Sequence, residues 1–181
     1  MDRRGFLRSV GVAALGLAAT RAALAAGGER RTLSFAHTHT GERLTTVYFD
    51  GGDYLADALH RVNVLLRDFR NETVYPIDPG VLDRLFHLQS ATGGSAAFQV
   101  ICGYRSPTTN AALRKSSSGV AEHSLHLEGR AVDVRLPGVE TARLAVLAQR
   151  QAAGGVGYYS VSDFVHLDTG RARFWGDPTP I

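Results

Sequence analysis

Two residues on either side of a short turn have the chemistry of metal ligands. His126 precedes the turn and Asp133 follows it, inside residues 131–136, where apolar and polar positions alternate. Such alternation predicts a strand. Val132 and Val134 share one face of that strand, so Asp133 points to the other face, towards a cleft.

A second predicted strand, residues 164–168, has the same pattern and puts His166 and Asp168 on one face. If the two strands are neighbours, His126, Asp133 and His166 converge. Two imidazoles and one carboxylate, with a fourth position left for water, are the donor set of a catalytic zinc site. Structural zinc sites mostly use cysteine, and this chain has only one.

Taken singly, these residues also have ordinary explanations. His126 fits a hydrogen-bonded loop residue, Asp133 an ion-pair partner of Arg130 or Arg135, and His166 a satisfied core group. The single cysteine, Cys102, excludes an intramolecular disulfide. Its apolar neighbours favour a buried strand thiol over a catalytic one.

The elements that must position these residues indicate an α+β domain: a small, mostly antiparallel sheet with helices packed against it. Helical spacing predicts a helix over 53–71 capped by Asp53, and another that begins at Asp78-Pro79 and ends at Gly93-Gly94. Further helices are predicted over 109–115 and 139–153, with a surface loop at 116–119. The predicted strands cover residues 33–35, 44–49, 97–102, 131–136, 157–160, 164–168 and 171–175.

The first 26 residues indicate a twin-arginine export signal. Arg3-Arg4 precedes an apolar run over 10–19, and small residues up to Ala25 and Ala26 offer cleavage positions. We therefore expect a signal peptide at 1–26 and a single domain at 27–181, in the periplasm. The alternative is an uncleaved membrane anchor, for which the run is short.

Charge argues against nucleic acid as a partner. The chain has 20 basic and 17 acidic residues, and the signal alone holds four arginines against one aspartate. The remaining residues contain equal numbers of basic and acidic side chains, so the high pI of the whole chain comes from the signal. We expect a monomer that has no membrane contact after signal cleavage.

The stretch around His126 resembles the S-x-H-x-x-G-x-A-x-D signature of D-Ala-D-Ala metallopeptidases, a group with lysostaphin-type and hedgehog-type relatives. The matching residues are Ser124, His126, Gly129, Ala131 and Asp133. Segments 103–107, 119–121, 155–159 and 164–168 extend the resemblance. Segments 39–42 and 173–175 look like the YcbK-like murein endopeptidase branch.

This resemblance implies a hedgehog/D-Ala-D-Ala peptidase-like fold and a Zn²⁺-dependent hydrolase acting on peptidoglycan peptides, as an endopeptidase or on terminal residues. His126, Asp133 and His166 carry over as ligands. Arg105 carries over as the arginine that binds substrate and stabilises an oxyanion, a role that suits a fixed guanidinium. Ser124 and Tyr159 are further expected substrate contacts.

The general base stays open between two acids. Some relatives place an acid three residues before the last ligand, as Asp163 does here, and others place an aspartate two residues after it, as Asp168 does. We favour Asp168, which shares a strand face with His166. It could equally orient that ligand without taking a proton.

Other polar and aromatic residues have alternative roles. His37, His39 and His123 are expected to be solvated or hydrogen-bonded rather than metal-bound. Trp175 and the Tyr158-Tyr159 pair either line a substrate groove or pack in the sheet. Two alternatives to an enzyme remain: a catalytically inactive zinc-containing module that binds wall peptides, and an exported structural protein.

Overall fold

The fold is built around one mixed sheet. The computed structural model describes residues 29–116 and 119–177. The strands are β1 (Arg31–His37), β2 (Arg43–Asp50), β3 (Asp53–Tyr54), β4 (Phe98–Cys102), β5 (Ala131–Arg135), β6 (Gly155–Tyr159), β7 (Phe164–Asp168) and β8 (Arg173–Gly176). Their order is β3-β2-β1-β4-β5-β7-β6-β8. Within these ranges β1 pairs with β4 and β6 with β8 in parallel, and the other neighbours are antiparallel.

The helices complete the α+β class predicted from the sequence, which is confirmed. They are α1 (Ala56–Leu65), α2 (Pro79–Thr92), α3 (Pro107–Ser116) and α4 (Thr141–Arg150), with a short 3-10 helix at Leu125–Glu128. The predicted ends of α2 are correct. The Asp78 carboxylate accepts a hydrogen bond from the Gly80 N–H at 2.9 Å, and Gly93 ends the helix with φ of 71°.

The predicted start of α1 is wrong. Asp53 does not cap a helix but lies in β3, because Gly51 and Gly52 adopt φ of 63° and 103° and turn the chain back along β2. The helix begins only after Leu55, which offers no side-chain cap. The apolar spacing predicted the buried face of α1 but not this hairpin.

The predicted end of α1 at Asn71 is also wrong, since residues 66–73 form a loop. The Asp68 carboxylate accepts hydrogen bonds from the backbone N–H groups of Arg70 and Ser106. The backbone of Asp68 pairs with that of Thr73. Aspartate that bonds nearby backbone in this way competes with helix formation.

The two faces of β5 and β7 have different environments. Val132, Val134, Val165 and Leu167 are fully buried in the core. α2 packs against β7, and α4 packs against β6 and β7. The alternate residues of both strands face the other side of the sheet, where the predicted ligands lie.

The predicted signal peptide and Ser117 and Ser118 of the predicted surface loop lie outside the described residues. None of the helices in the described ranges is long and apolar enough to cross a membrane.

Candidate metal centre

The three predicted metal ligands meet at one point. Asp133 of β5 lies opposite His166 of β7, and the 3-10 helix carries His126 to the same place. Asp133 Oδ1 is 2.9 Å from His166 Nδ1 and 3.2 Å from His126 Nε2. The two nitrogens are 3.1 Å apart. All three side chains are buried.

The turn that positions His126 depends on two signature residues. Ser124 caps the 3-10 helix, and its Oγ accepts a hydrogen bond from the His126 N–H at 3.4 Å. Gly129 ends the helix with φ of 65°, and a Cβ there would lie 2.1 Å from the Pro76 carbonyl oxygen. Only glycine satisfies both the left-handed backbone and this close approach.

Each ligand histidine makes a hydrogen bond with the ring nitrogen that points away from the cluster. These two bonds determine the tautomers of His126 and His166. His126 Nδ1 donates to the Gly103 carbonyl at 2.7 Å, and His166 Nε2 donates to the Asp168 carboxylate at 3.1 Å. In the neutral tautomers, His126 Nε2 and His166 Nδ1 therefore carry lone pairs. With Asp133 Oδ1, three acceptors face one another.

Three converging acceptors need a cation between them, and their separations of 2.9 to 3.2 Å are slightly shorter than those around a bound metal ion. A tetrahedral centre with bonds of about 2.0 to 2.1 Å spaces its ligand atoms about 3.3 to 3.4 Å apart. Without a metal, a proton takes that place. Burial lowers the pKa of His126, but the charges and hydrogen bonds of Asp133 and Cys102 together outweigh burial and raise the pKa to about 10. Burial alone would raise the pKa of Asp133, but the histidines hold it well below its ordinary value.

Asp168 lies behind His166 and is fully buried. Its carboxylate also accepts hydrogen bonds from the Gly155 and Gly170 N–H groups at 2.9 and 2.8 Å. Arg173 donates to both oxygens, at 3.1 and 2.7 Å. Although burial raises the pKa of Asp168, the bonds from His166 and Arg173 lower it well below its usual range. This carboxylate is an anion with all its partners already in place.

A buried arginine supports the backbone beneath Asp168. Arg84 of α2 donates from Nη1 to the carbonyl oxygens of Gly155 and Asp168, at 2.9 and 2.5 Å. Burial lowers the pKa of Arg84 to about 10, against the opposing charge of Asp168. Helix α2 is thereby tied to the strands that carry the ligands.

Asp163, the other candidate base, lies elsewhere. Its exposed carboxylate accepts a hydrogen bond from Arg135 at 3.1 Å and another from the Thr141 hydroxyl. It lines a separate pocket beside the start of α4. Among the described residues, the structure does not bring Asp163 to the ligand cluster.

The ligands lie in an open cavity of about 590 Å³. Arg105, Ser124 and Tyr159, the expected substrate contacts, all line it. Arg105 Nη2 is 3.9 Å from Asp133 Oδ2, and its Nη1 donates to Asn110 at 3.3 Å. The guanidinium is thus held beside the ligand cluster, where Arg105 lines the cavity.

A row of directly paired residues crosses five strands at the cavity. From β8 to β4 it reads Trp175, Gly157, His166, Asp133 and Cys102. Trp175 packs 5.1 Å from His166 between ring centroids and donates from Nε1 to the Tyr159 hydroxyl at 2.9 Å. Trp175 and Tyr159 therefore form a wall of the cavity, whereas Tyr158 packs in the core.

Three residues of this region were missed by sequence reasoning: Gly157, Arg173 and the site-facing position of Cys102. A glycine inside a predicted strand signals a close approach, which could have identified Gly157. The predicted burial of Cys102 is confirmed.

His37 and His39 lie close to each other, with 6.0 Å between their ring centroids. His37 is buried, and its Nδ1 accepts hydrogen bonds from the His39 and Thr40 N–H groups. His39 stacks on Phe69 at 4.3 Å. His123 lines the cavity.

Comparison with known proteins agrees with this geometry. Residues 25–175 match the family Peptidase_M15_2, described as peptidoglycan L,D-endopeptidase MepK. The chain is 43% identical over 145 residues to "Peptidoglycan L,D-endopeptidase MepK" of Escherichia coli strain K12, covering 80% of each chain. It is 39% identical over 146 residues to "Probable peptidoglycan L,D-endopeptidase MepK" of Haemophilus influenzae, covering 80% of this chain and 78% of that one.

Among solved structures, Serratia marcescens L-Ala D-Glu endopeptidase ChiX matches with a TM-score of 0.35 and 21% identity, over 52% of this chain and 68% of that one. That similarity is too low to support any inference. The family match and the relatives confirm the resemblance found in the sequence, and the chain belongs to the Peptidase_M15_2 family of MepK-type peptidoglycan endopeptidases.

Proposed function

We propose that this protein is a zinc-dependent endopeptidase that cleaves peptide cross-links of peptidoglycan. The observation that carries the proposal is the convergence of three acceptor atoms, 2.9 to 3.2 Å apart, in an open cavity. The substrate class is supported by the relatives, which are named as peptidoglycan L,D-endopeptidases.

His126, Asp133 and His166 would hold the zinc ion. Their donor set, two imidazoles and one carboxylate, is that of catalytic zinc centres with an open position. A bound zinc ion supplies Lewis acidity, which polarises a carbonyl group and acidifies water. The opening to the cavity leaves room for a peptide beside the ligands.

Arg105 would bind substrate and offset the negative charge that develops on the scissile carbonyl oxygen. Its position beside Asp133 and its anchoring by Asn110 support this role. Ser124 and Tyr159 would contact the wall peptide from the cavity lining.

For Asp168 we propose an orienting role. Its bond to His166 Nε2 fixes the ring and its tautomer, so that Nδ1 faces the other ligands. Its burial and its bonds to Arg173, Gly155 and Gly170 argue against proton transfer with a substrate in the cavity. We extend no role to Asp163, which is held by Arg135 and Thr141.

We also propose that residues 1–26 direct export by the twin-arginine route and that residues 27–181 act as one domain in the periplasm. The paired arginines and the apolar run support the route. A wall-peptide substrate supports the compartment.

One observation favours a second candidate, a zinc-containing module that binds wall peptides without cleaving them. Of the described residues that line the cavity, Asp133 is the only carboxylate, and it belongs to the ligand cluster. A free carboxylate that could accept a proton is therefore missing from that described lining.

Incubation of the purified protein with isolated peptidoglycan, followed by mass spectrometry of the muropeptides, separates the two candidates. An endopeptidase releases uncross-linked muropeptides, loses this activity with a chelator and regains it with zinc. His126→Ala should be inactive, and His60→Ala, an exposed change in α1, should be active. Retention of wall peptides without cleavage would indicate the binding module, and neither cleavage nor retention would contradict both.

A further inference from the structure

Cys102 faces the metal centre because β4 is irregular. Phe98 and Val100 point into the core, and regular alternation would send Cys102 there too. A register shift between Val100 and Cys102 instead pairs Cys102 with Asp133, whose side chain lies on the opposite face. Bulges near functional sites re-aim side chains in this way. Cys102 is buried but lies outside the core cluster.

The thiol meets two of the ligands already described. Cys102 Sγ, one ring nitrogen of His126 and one carboxylate oxygen of Asp133 all lie within 4.8 Å of one another. Arg105 Nη2 is 3.7 Å from the sulfur. His126 and Asp133 thus belong to two overlapping ligand sets, one completed by His166 and the other by Cys102.

The two sets differ in softness. Zinc accepts imidazole, carboxylate and thiolate donors, whereas a softer ion gains most from the thiolate of the second set. We propose that Cys102, His126 and Asp133 form a second, overlapping site that captures a thiophilic metal ion such as Cd²⁺ and excludes zinc from the first. On binding, a metal–sulfur bond forms, and the thiol proton and the proton held between His126 and Asp133 are both released to solvent.

The ligand set does not depend on the proposed activity. Only the consequence for hydrolysis, inhibition by thiophilic metals, rests on the proposed function. If the protein did not cleave peptidoglycan, a cadmium titration would therefore still decide whether the second metal site exists.

The chain has one cysteine, so any thiolate-to-metal charge-transfer absorption reports Cys102 alone. We would titrate the reduced, metal-free full-length protein with CdCl₂ and record the ultraviolet spectrum. The wild type should develop the absorption with one equivalent of Cd²⁺, and Cys102→Ser should not. Absence of the absorption in the wild type would overturn the proposal.

His166→Ala and His126→Ala separate the two ligand sets. His166→Ala should keep the cadmium absorption while its zinc affinity falls about 100-fold or more, beyond the loss expected for an outer partner. His126→Ala should lose both. If His126→Ala kept the cadmium absorption at unchanged affinity, Cys102 would bind cadmium without His126, which contradicts the proposal. These variants remain decisive even if circular dichroism shows that Cys102→Ser does not fold.

Discussion

Gly157 of β6 and Trp175 of β8 lie opposite each other, and the indole ring covers the space where a side chain at position 157 would stand. A Cβ built on Gly157 would lie 2.7 Å from the ring. The bare glycine therefore lets Trp175 extend over β6 as far as His166, where it forms a wall of the cavity.

Replacing Gly157 by Ala should displace that wall. We expect the free energy of unfolding to fall by about 1 to 3 kcal/mol, as in other overpacked sites, and KM to rise more than kcat falls. Trp175 is the only tryptophan, so its fluorescence emission should shift to longer wavelength as the ring becomes more exposed. Gly94→Ala, whose Cβ meets only an ordinary contact, is the control. Unchanged emission in Gly157→Ala would contradict this prediction.

Replacing Asp168 by Asn should weaken metal binding although all three proposed ligands are kept. The loss of the charge-assisted bond to His166 should lower zinc affinity about 10- to 100-fold. Arg173 would lose its carboxylate partner but keep its bond to the Arg171 carbonyl, so the free energy of unfolding should fall by about 1 to 3 kcal/mol. Zinc competition with a chelator and urea unfolding measure the two effects.

Asp163→Asn is the matched control for that experiment. Because Asp163 bonds to Arg135 and Thr141, its replacement should leave zinc affinity unchanged. A large loss of kcat in Asp163→Asn with normal zinc binding would instead favour Asp163 as the proton acceptor.

Zinc affinity should increase with pH. The folded pKa of His126, about 10, lies above its ordinary value of 6.5, so this proton stabilises the metal-free protein fully below about pH 6.5. That stabilisation is lost as pH rises through 10. Zinc must displace the same proton from the folded protein, so zinc affinity should rise about tenfold per pH unit as the pH approaches 10 from below.

Calorimetry in buffers of different ionisation enthalpy should detect about one proton released per zinc ion at pH 7. His123→Ala should behave like the wild type, since His123 lines the cavity outside the ligand cluster. An affinity independent of pH would show that His126 is already neutral in the metal-free protein.

Arg105→Lys should separate catalysis from metal binding. A lysine ammonium cannot reproduce the planar guanidinium held by Asn110, so kcat should fall about 100-fold while zinc affinity stays near that of the wild type. Steady-state kinetics on a cross-linked muropeptide measure the first quantity. Arg114→Lys, at an exposed ion pair with Glu122, should be silent. Equal kcat for the wild type and Arg105→Lys would remove Arg105 from the proposed mechanism.

The sequence predicted those features that depend on local rules. Alternation along residues 131–136 and 164–168 placed Asp133 and His166 on the side of the sheet away from the valines, and the register later paired them. Asp78, Pro79 and Gly93 gave both ends of α2. The convergence of His126 with the two strands was predicted on the condition that the strands are neighbours, and the family resemblance implied the same three ligands.

The features that the sequence did not predict depend on tertiary structure. The paired glycines before Asp53 could not be distinguished from a loop leading into a helix. The β4 irregularity that turns Cys102 towards Asp133 leaves no mark in the alternation of Phe98 and Val100. The burial of Asp168 and its pairing with Arg173 require knowledge of which strands meet.

Arg84 lies on α2, which does not line the cavity, yet it stabilises the metal site. Its guanidinium binds the main-chain carbonyls of Gly155 and Asp168. A random mutagenesis screen for loss of peptidoglycan cleavage should therefore yield substitutions at position 84, although this side chain does not line the cavity. Such variants should be recognisable by heat sensitivity together with poor metal retention, a phenotype distinct from that of cavity-lining changes.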